Sequence, residues 1–122
     1  MEQNKLNFIL IALNIIIFVS YFAVSNFHVK QDMSEKLKKA QVYTVKEDWE
    51  KAKQASIDIE KEWNENKVFI MTNYGESEFG NFEGHINGIT GGIESKSIDT
   101  SLTSILSAQD DWKNLNKIIP FP

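Results

Sequence analysis

Apolar and polar positions divide the chain near residue 30. From Leu6 to Val24 nearly every side chain is apolar and none is charged. Beyond residue 30, apolar positions recur at helical spacing among polar ones. At about 1.5 Å per residue the first run reaches roughly 28 Å as a helix, close to a hydrocarbon core of about 30 Å. Tyr21, Phe22 and Phe27 lie near its far end, where aromatic rings favour the membrane interface. The pattern predicts a transmembrane helix over 6–25, in contact with membrane lipid. A cleaved signal peptide is the rival reading, because Ala23 and Ser25 are small residues spaced for cleavage before Asn26. The run is longer than the about 7–15 residues of a usual signal core, which favours an uncleaved anchor.

Asn7, Asn14, Tyr21 and His28 follow one another at intervals of seven, on one stripe of that helix. An amide in hydrocarbon needs a partner, and interhelical hydrogen bonds contribute about 0.6–2 kcal/mol. Asn7, Asn14 and Tyr21 are therefore a candidate face for self-association or for pairing with another membrane protein. An Asn-rich composition accounts for the same residues without function, since only Asn14 is deep in the span.

The polar part, 30–122, reads as a small helical domain with helices at about 30–42, 45–74, 77–95 and 98–118. Met33, Leu37 and Ala40 mark the first. Thr44 and Glu47 have the spacing of a capping box, opening the second helix. That helix carries Trp49, Ala52, Ser56, Ile59, Trp63, Ile70 and Tyr74 within about 40° of one line, at 100° per residue. Lys67 interrupts the stripe, and Gly75 is placed for a left-handed C-cap. Val68 to Met71 would also suit a short strand. The third helix rests on Phe79, Phe82, Ile86, Ile89 and Ile93, but Gly80, Gly84, Gly88, Gly91 and Gly92 share the stretch. Each glycine costs a helix about 1 kcal/mol relative to alanine, so a loop or hairpin is the competing reading. The glycines fall opposite the apolar stripe, as a ridge for close backbone approach or as a solvent face. Ser97 caps the fourth helix, with Leu102, Ile105, Trp112, Leu115 and Ile119 facing inward and Pro120 ending it. Short connections predict antiparallel neighbours. The fold class expected is all-α: a transmembrane helix followed by a small antiparallel helical-hairpin bundle. Its core is expected at Trp49, Ile59, Trp63, Ile70, Ile86, Ile89, Leu102, Ile105 and Trp112. A faint echo at an offset of 53 aligns Trp49, Ala52, Ala55 and Ile59 with Leu102, Ile105, Ala108 and Trp112.

Composition narrows the function. After the first 29 residues, 12 lysines face 16 aspartates and glutamates, with no arginine. An acidic, arginine-free domain is a poor nucleic-acid binder, since that affinity rests on neutralising phosphates. The chain has no cysteine, which excludes disulfides, thiol catalysis and Cys-ligated zinc. Basic residues are more numerous after the span than before it, where only Lys5 stands; this count favours a cytoplasmic domain. Longer domains translocate regardless of charge.

Asp48-Trp49-Glu50-Lys51-Ala52, Glu62-Trp63 and the closing Trp112 with Ile119-Pro120 resemble uncharacterised short single-span membrane proteins of Gram-positive bacteria, domain-of-unknown-function family 4363. The likeness covers most of the soluble part, and the glycine-rich stretch departs from it. The resemblance implies a membrane anchor and an extracytoplasmic domain, and it implies no activity.

Candidate chemistry is sparse. On a helix His85 would share a face with Glu78, near Asn81; that offers two metal ligands where three or four are needed, so an exposed surface histidine is the better reading. Asp110-Asp111 and the run around Glu60, Glu62 and Glu65 alternate with Lys51, Lys53 and Lys61 as a solvated face does. No serine has the context of a known nucleophile, and no glycine stands directly before Lys-Ser or Lys-Thr as in a phosphate-binding loop. Trp49, Trp63 and Trp112 could line a groove, but at helical spacing they read as core. The expectation is a non-enzymatic, membrane-anchored protein-interaction module with no catalytic, cofactor or metal site; a secreted helical protein and a small membrane-surface enzyme are the alternatives.

Overall fold

The structure, a computed structural model, describes residues 2–73 and 76–118. Expectations at Tyr74, Gly75, Ile119 and Pro120, and for the side chains of Phe27 and His28, fall outside the described residues. The described chain is all-helical: α1 (Glu2–Val45), α2 (Trp49–Asn73), α3 (Glu76–Glu94) and α4 (Ile98–Ile118). Val68 to Met71 lie within α2, and the glycine-rich stretch is helix α3. The chain divides into two compact units, residues 1–30 and 31–122.

In the first unit, Glu2–Val24 is long and apolar enough to cross a membrane, with mean hydropathy 2.3 and none of it buried. The second unit is a helical bundle. Each helix buries a stripe spaced by three and four residues, the spacing that keeps side chains on one face. Met33, Leu37 and Ala40 come from α1; Ala52, Ala55, Ile59, Trp63 and Ile70 from α2. Phe82, Ile86, Ile89 and Ile93 come from α3; Ile105, Ala108, Trp112 and Leu115 from α4. Phe82 is the central ring. Its centroid lies 4.9 Å from Trp63 and 5.2 Å from Trp112, and Phe79 adds a further ring 4.8 Å from Trp63. Burying a large apolar side chain contributes about 1.5–3 kcal/mol.

Seven of the nine expected core residues are buried; Trp49 and Leu102 are only half-buried. Trp49 is the first residue of α2, at the edge of the packed layers. Leu102 lies one position beyond the buried line Ser101, Ile105, Ala108, Trp112, so it is turned away by one residue's rotation.

The capping box at Thr44 and Glu47 does not form. Thr44 belongs to the last turn of α1 and is fully buried, and its hydroxyl meets no partner among the described residues. Glu47 instead adopts φ 56°, with its N–H on the Thr44 carbonyl at 3.0 Å and the Asp48 N–H on the Tyr43 carbonyl at 2.9 Å. This is a Schellman ending with glutamate in the left-handed position. Asp48 then caps α2, its Oδ1 accepting the Lys51 N–H at 3.3 Å. The α3–α4 connection repeats this device. Lys96 has φ 53°, its N–H reaches the Ile93 carbonyl at 3.0 Å, and the Ser97 N–H reaches the Gly92 carbonyl at 2.9 Å. Ser97 Oγ accepts the Thr100 N–H at 3.3 Å, as expected for a cap. Adding 49 to each number in the first turn gives the second: 43 becomes 92, 47 becomes 96, 48 becomes 97. The echo at an offset of 53 is therefore corrected to 49. An offset of 53 sets Thr44 against Ser97, whereas the residue equivalent to Ser97 is Asp48.

The glycines do not share one face. A Cβ at Gly80, Gly84 or Gly91 would meet open space. A Cβ at Gly92 would lie 2.7 Å from the Ser101 backbone nitrogen and 2.9 Å from its Cα, so α3 and α4 touch there. Gly88 faces Ser104, whose Oγ would be 2.5 Å from an added Cβ.

Two stability experiments follow, both on full chain in detergent by urea unfolding. Trp63, 2% exposed, should cost about 3–5 kcal/mol when changed to alanine. Val68, 66% exposed on the same helix, should cost far less, and equal losses would show the helical phase to be wrong. Gly92→Ala should destabilise by about 1–3 kcal/mol through overpacking against Ser101. Gly84→Ala should stabilise by roughly 0.5–1 kcal/mol through helix propensity, and a matching gain at Gly92 would rule out the close contact.

Candidate functional site

Two regions qualify, one in each unit. In the first unit, Asn7, Asn14 and Tyr21 are all exposed on α1, so the candidate pairing face is covered by nothing in its own unit. Leu, Ile and Phe side chains around them are also exposed, from Leu6 at 60% to Phe18 at 70%. A stretch this long and apolar has the length to cross a hydrocarbon core of about 30 Å.

In the second unit the polar contacts lie along the seams between helices. Lys36 donates to Glu62 at 2.9 Å across α1 and α2. His85 Nδ1 pairs with Asp111 Oδ2 across α3 and α4. These pairs are equivalent under the offset of 49, since 36 becomes 85 and 62 becomes 111. The seams between the two halves match as well. Thr90 Oγ1 donates to Glu60 at 2.7 Å between α3 and α2. Gln109 donates to Gln41 at 2.9 Å between α4 and α1. Here 41 becomes 90, while 109 less 49 is 60, so the relation closes on itself as a two-fold axis does. Trp63 and Trp112 are partners under the same operation.

Several sequence expectations change accordingly. His85, expected as an exposed surface histidine, has its side chain 39% exposed and in addition bridges to Asp111 on α4. Asp111 is held in that pair, while its neighbour Asp110 is exposed. Glu60 and Glu62 are seam residues rather than members of a solvated face, and Glu65 is exposed. A linear reading assigns charges to faces of one helix and does not see which neighbour each face meets. No group of three or more metal-ligating side chains occurs among the described residues.

The two seams between the halves differ in content. Between α2 and α3, Glu60 holds Thr90, and the Trp63 indole N–H donates to Glu83 at 3.3 Å. Between α1 and α4 lies an open groove of about 410 Å³, lined by Ser34, Lys38, Gln41, Gln109 and Lys113 over Leu37 and Trp112. None of its polar residues was singled out by the sequence. The available signal was the 49-residue separation of Trp63 and Trp112, which would have aligned the halves and shown Ser34 in the place of Glu83.

Comparisons with protein-family models, with curated proteins and with solved structures find no match for this chain.

Proposed function

We propose that this protein is a single-pass, membrane-anchored interaction module without enzymatic chemistry, its helical domain lying outside the cytoplasm. The observation that carries the reading is the uncharged helical stretch ending at Val24, none of which is buried. Such a stretch is satisfied by bilayer, and its length suits one crossing. The domain that follows is read as two antiparallel hairpins, α1 with α2 and α3 with α4. Contacts that pair 36 with 62, 85 with 111 and 92 with 101 support this, because the numbers rise on one helix as they fall on the other. The non-enzymatic reading is supported by the carboxylates Glu60, Glu62, Glu83 and Asp111, each tied to a neighbouring helix rather than gathered in one cleft. Paired carboxylates do acid–base work only where a shared cleft separates their affinities for protons. Membership of domain-of-unknown-function family 4363 is likewise proposed, on the spaced tryptophans, and it supplies the extracytoplasmic placement.

Fractionation tests this. Detergent, but not high salt or carbonate, should release full-length protein from membranes, and protease added to intact spheroplasts should digest residues 30–122. A soluble product beginning at Asn26 would establish cleavage and secretion instead. Protection until lysis would place the domain in the cytoplasm.

The interaction itself is assigned to the Asn7, Asn14 and Tyr21 stripe. Asn14 lies mid-span, where its amide has donors and an acceptor that lipid cannot satisfy. Asn14→Leu should weaken self-association by about 0.6–2 kcal/mol while leaving insertion intact. A two-hybrid reporter of transmembrane association on residues 1–30, with Ile15→Leu as control, measures it. Identical background signals from wild type and both variants would remove self-pairing through Asn14.

A further inference from the structure

The internal two-fold relation supplies a control for reading the α1/α4 groove. If that groove were only a seam, it would match its equivalent between α2 and α3. Its frame does match: Leu37 corresponds to Ile86, Trp112 to Trp63, and the Gln41–Gln109 bond to Thr90–Glu60. Its charged positions do not. Ser34 stands where α3 has Glu83, whose carboxylate accepts from the Trp63 indole. Gln109 stands where α2 has Glu60. Lys38 and Lys113 stand where the other seam has Asn87 and Asn64. One seam thus carries two carboxylates and no lysine, and the other carries two lysines and no carboxylate.

This inversion occurs in a chain of net charge −4, whose surface otherwise offers lysines many acidic neighbours. Lys36 and Lys51 take such partners, Glu62 and Asp48. Among the described residues no carboxylate pairs with Lys38 or Lys113, although both face the groove. Its volume of about 410 Å³ is within the range of small-molecule sites, roughly 300–1,000 Å³. Ser34 and the two glutamine amides add neutral donors and acceptors beside the lysines.

We propose that the α1/α4 groove binds a small dianion of the phosphate-monoester class, held by Lys38 and Lys113 with Ser34, Gln41 and Gln109 as hydrogen-bonding partners. Two ammonium groups supply point charges matched to a dianionic phosphate. Leu37 and Trp112, both buried, close the floor of the groove beneath these polar groups. This site is independent of the membrane reading, since every residue in it belongs to the second unit. The phosphate monoester is either a free metabolite or the headgroup of a phosphomonoester lipid, and the two sources are separable by experiment.

The test is isothermal titration of the full chain in nonionic detergent. One arm titrates glycerol 3-phosphate, and the other titrates mixed micelles containing phosphatidate against micelles of phosphatidylcholine alone. Saturable binding in the first arm assigns a free ligand; binding confined to phosphatidate micelles assigns the lipid headgroup. Lys38→Gln and Lys113→Gln should each raise Kd about thirtyfold, the factor one unit charge supplies against a dianion at contact distance in a water-like dielectric. Both lysines are exposed, so neither change threatens the fold. Ser34→Glu, which restores the acidic residue of the other seam, should abolish binding with unchanged helical circular dichroism. Lys61→Gln, an exposed lysine of α2 outside the groove, should have no effect. Absence of binding in both arms, or a loss at Lys61 equal to that at Lys38, overturns the site.

Discussion

The stack of Trp63, Phe82 and Trp112 is the contact on which the helical bundle depends. Three of its four helices meet around it: α2 and α4 each contribute a tryptophan, and α3 places Phe82 between them at 4.9 and 5.2 Å. A domain of about ninety residues buries a modest share of its surface, so a few large side chains carry a large fraction of its stability. Tilted aromatic pairs at these separations add about 0.5–1.5 kcal/mol beyond the area they bury. The rest of the core is Ile, Leu, Met and Ala, set on either side of the rings at helical spacing. The polar end of Trp63 fixes the stack further, because its indole N–H is accepted by Glu83 at 3.3 Å.

Around that stack the bundle is built twice. The two connections place a left-handed residue, a pair of backbone bonds and a side-chain cap at equivalent positions, with Glu47 and Asp48 in one and Lys96 and Ser97 in the other. Neither uses glycine, although a left-handed conformation costs other residues roughly 1–2 kcal/mol. The cost is met by capping both helices at once: the Schellman bonds satisfy the end of one helix, and Asp48 or Ser97 begins the next. Equivalent ion pairs close each half, Lys36 with Glu62 and His85 with Asp111. Where the halves agree, the agreement identifies what the fold needs. Where they differ, as at Ser34 and Glu83, the two seams carry different charge within the same frame.

The N-terminal unit is governed by a different constraint. Its exposed Leu, Ile and Phe side chains have no core to join, and the amide of Asn14 is set among them. Hydrocarbon surroundings favour the first and penalise the second. That tension, in a bilayer, is what motivates the proposal that the stripe through Asn14 contacts another helix.

The sequence by itself determined that the chain is mostly helical and which side of each helix is apolar, because both follow from local periodicity. Met33 to Ala40, Ile59 to Ile70, Phe82 to Ile93 and Ile105 to Leu115 lie in the stripes it predicts, and the uncharged run before residue 25 needed no structure to stand out. Glycine propensity argued against α3, yet burial of Phe82, Ile86 and Ile89 outweighed it, as tertiary packing commonly outweighs propensity. The tertiary structure alone decided where α1 ends. Thr44 and Glu47 fit a capping box by spacing, but Thr44 is buried in the last turn of α1 and the chain turns three residues later. It alone separated Gly92, pressed against Ser101, from Gly84 in open space, since nothing local distinguishes two helical glycines. It also decided which charges meet. Lys36 with Glu62, Thr90 with Glu60, and the groove between Lys38 and Lys113 depend on which helix faces which, and helix periodicity is silent on that.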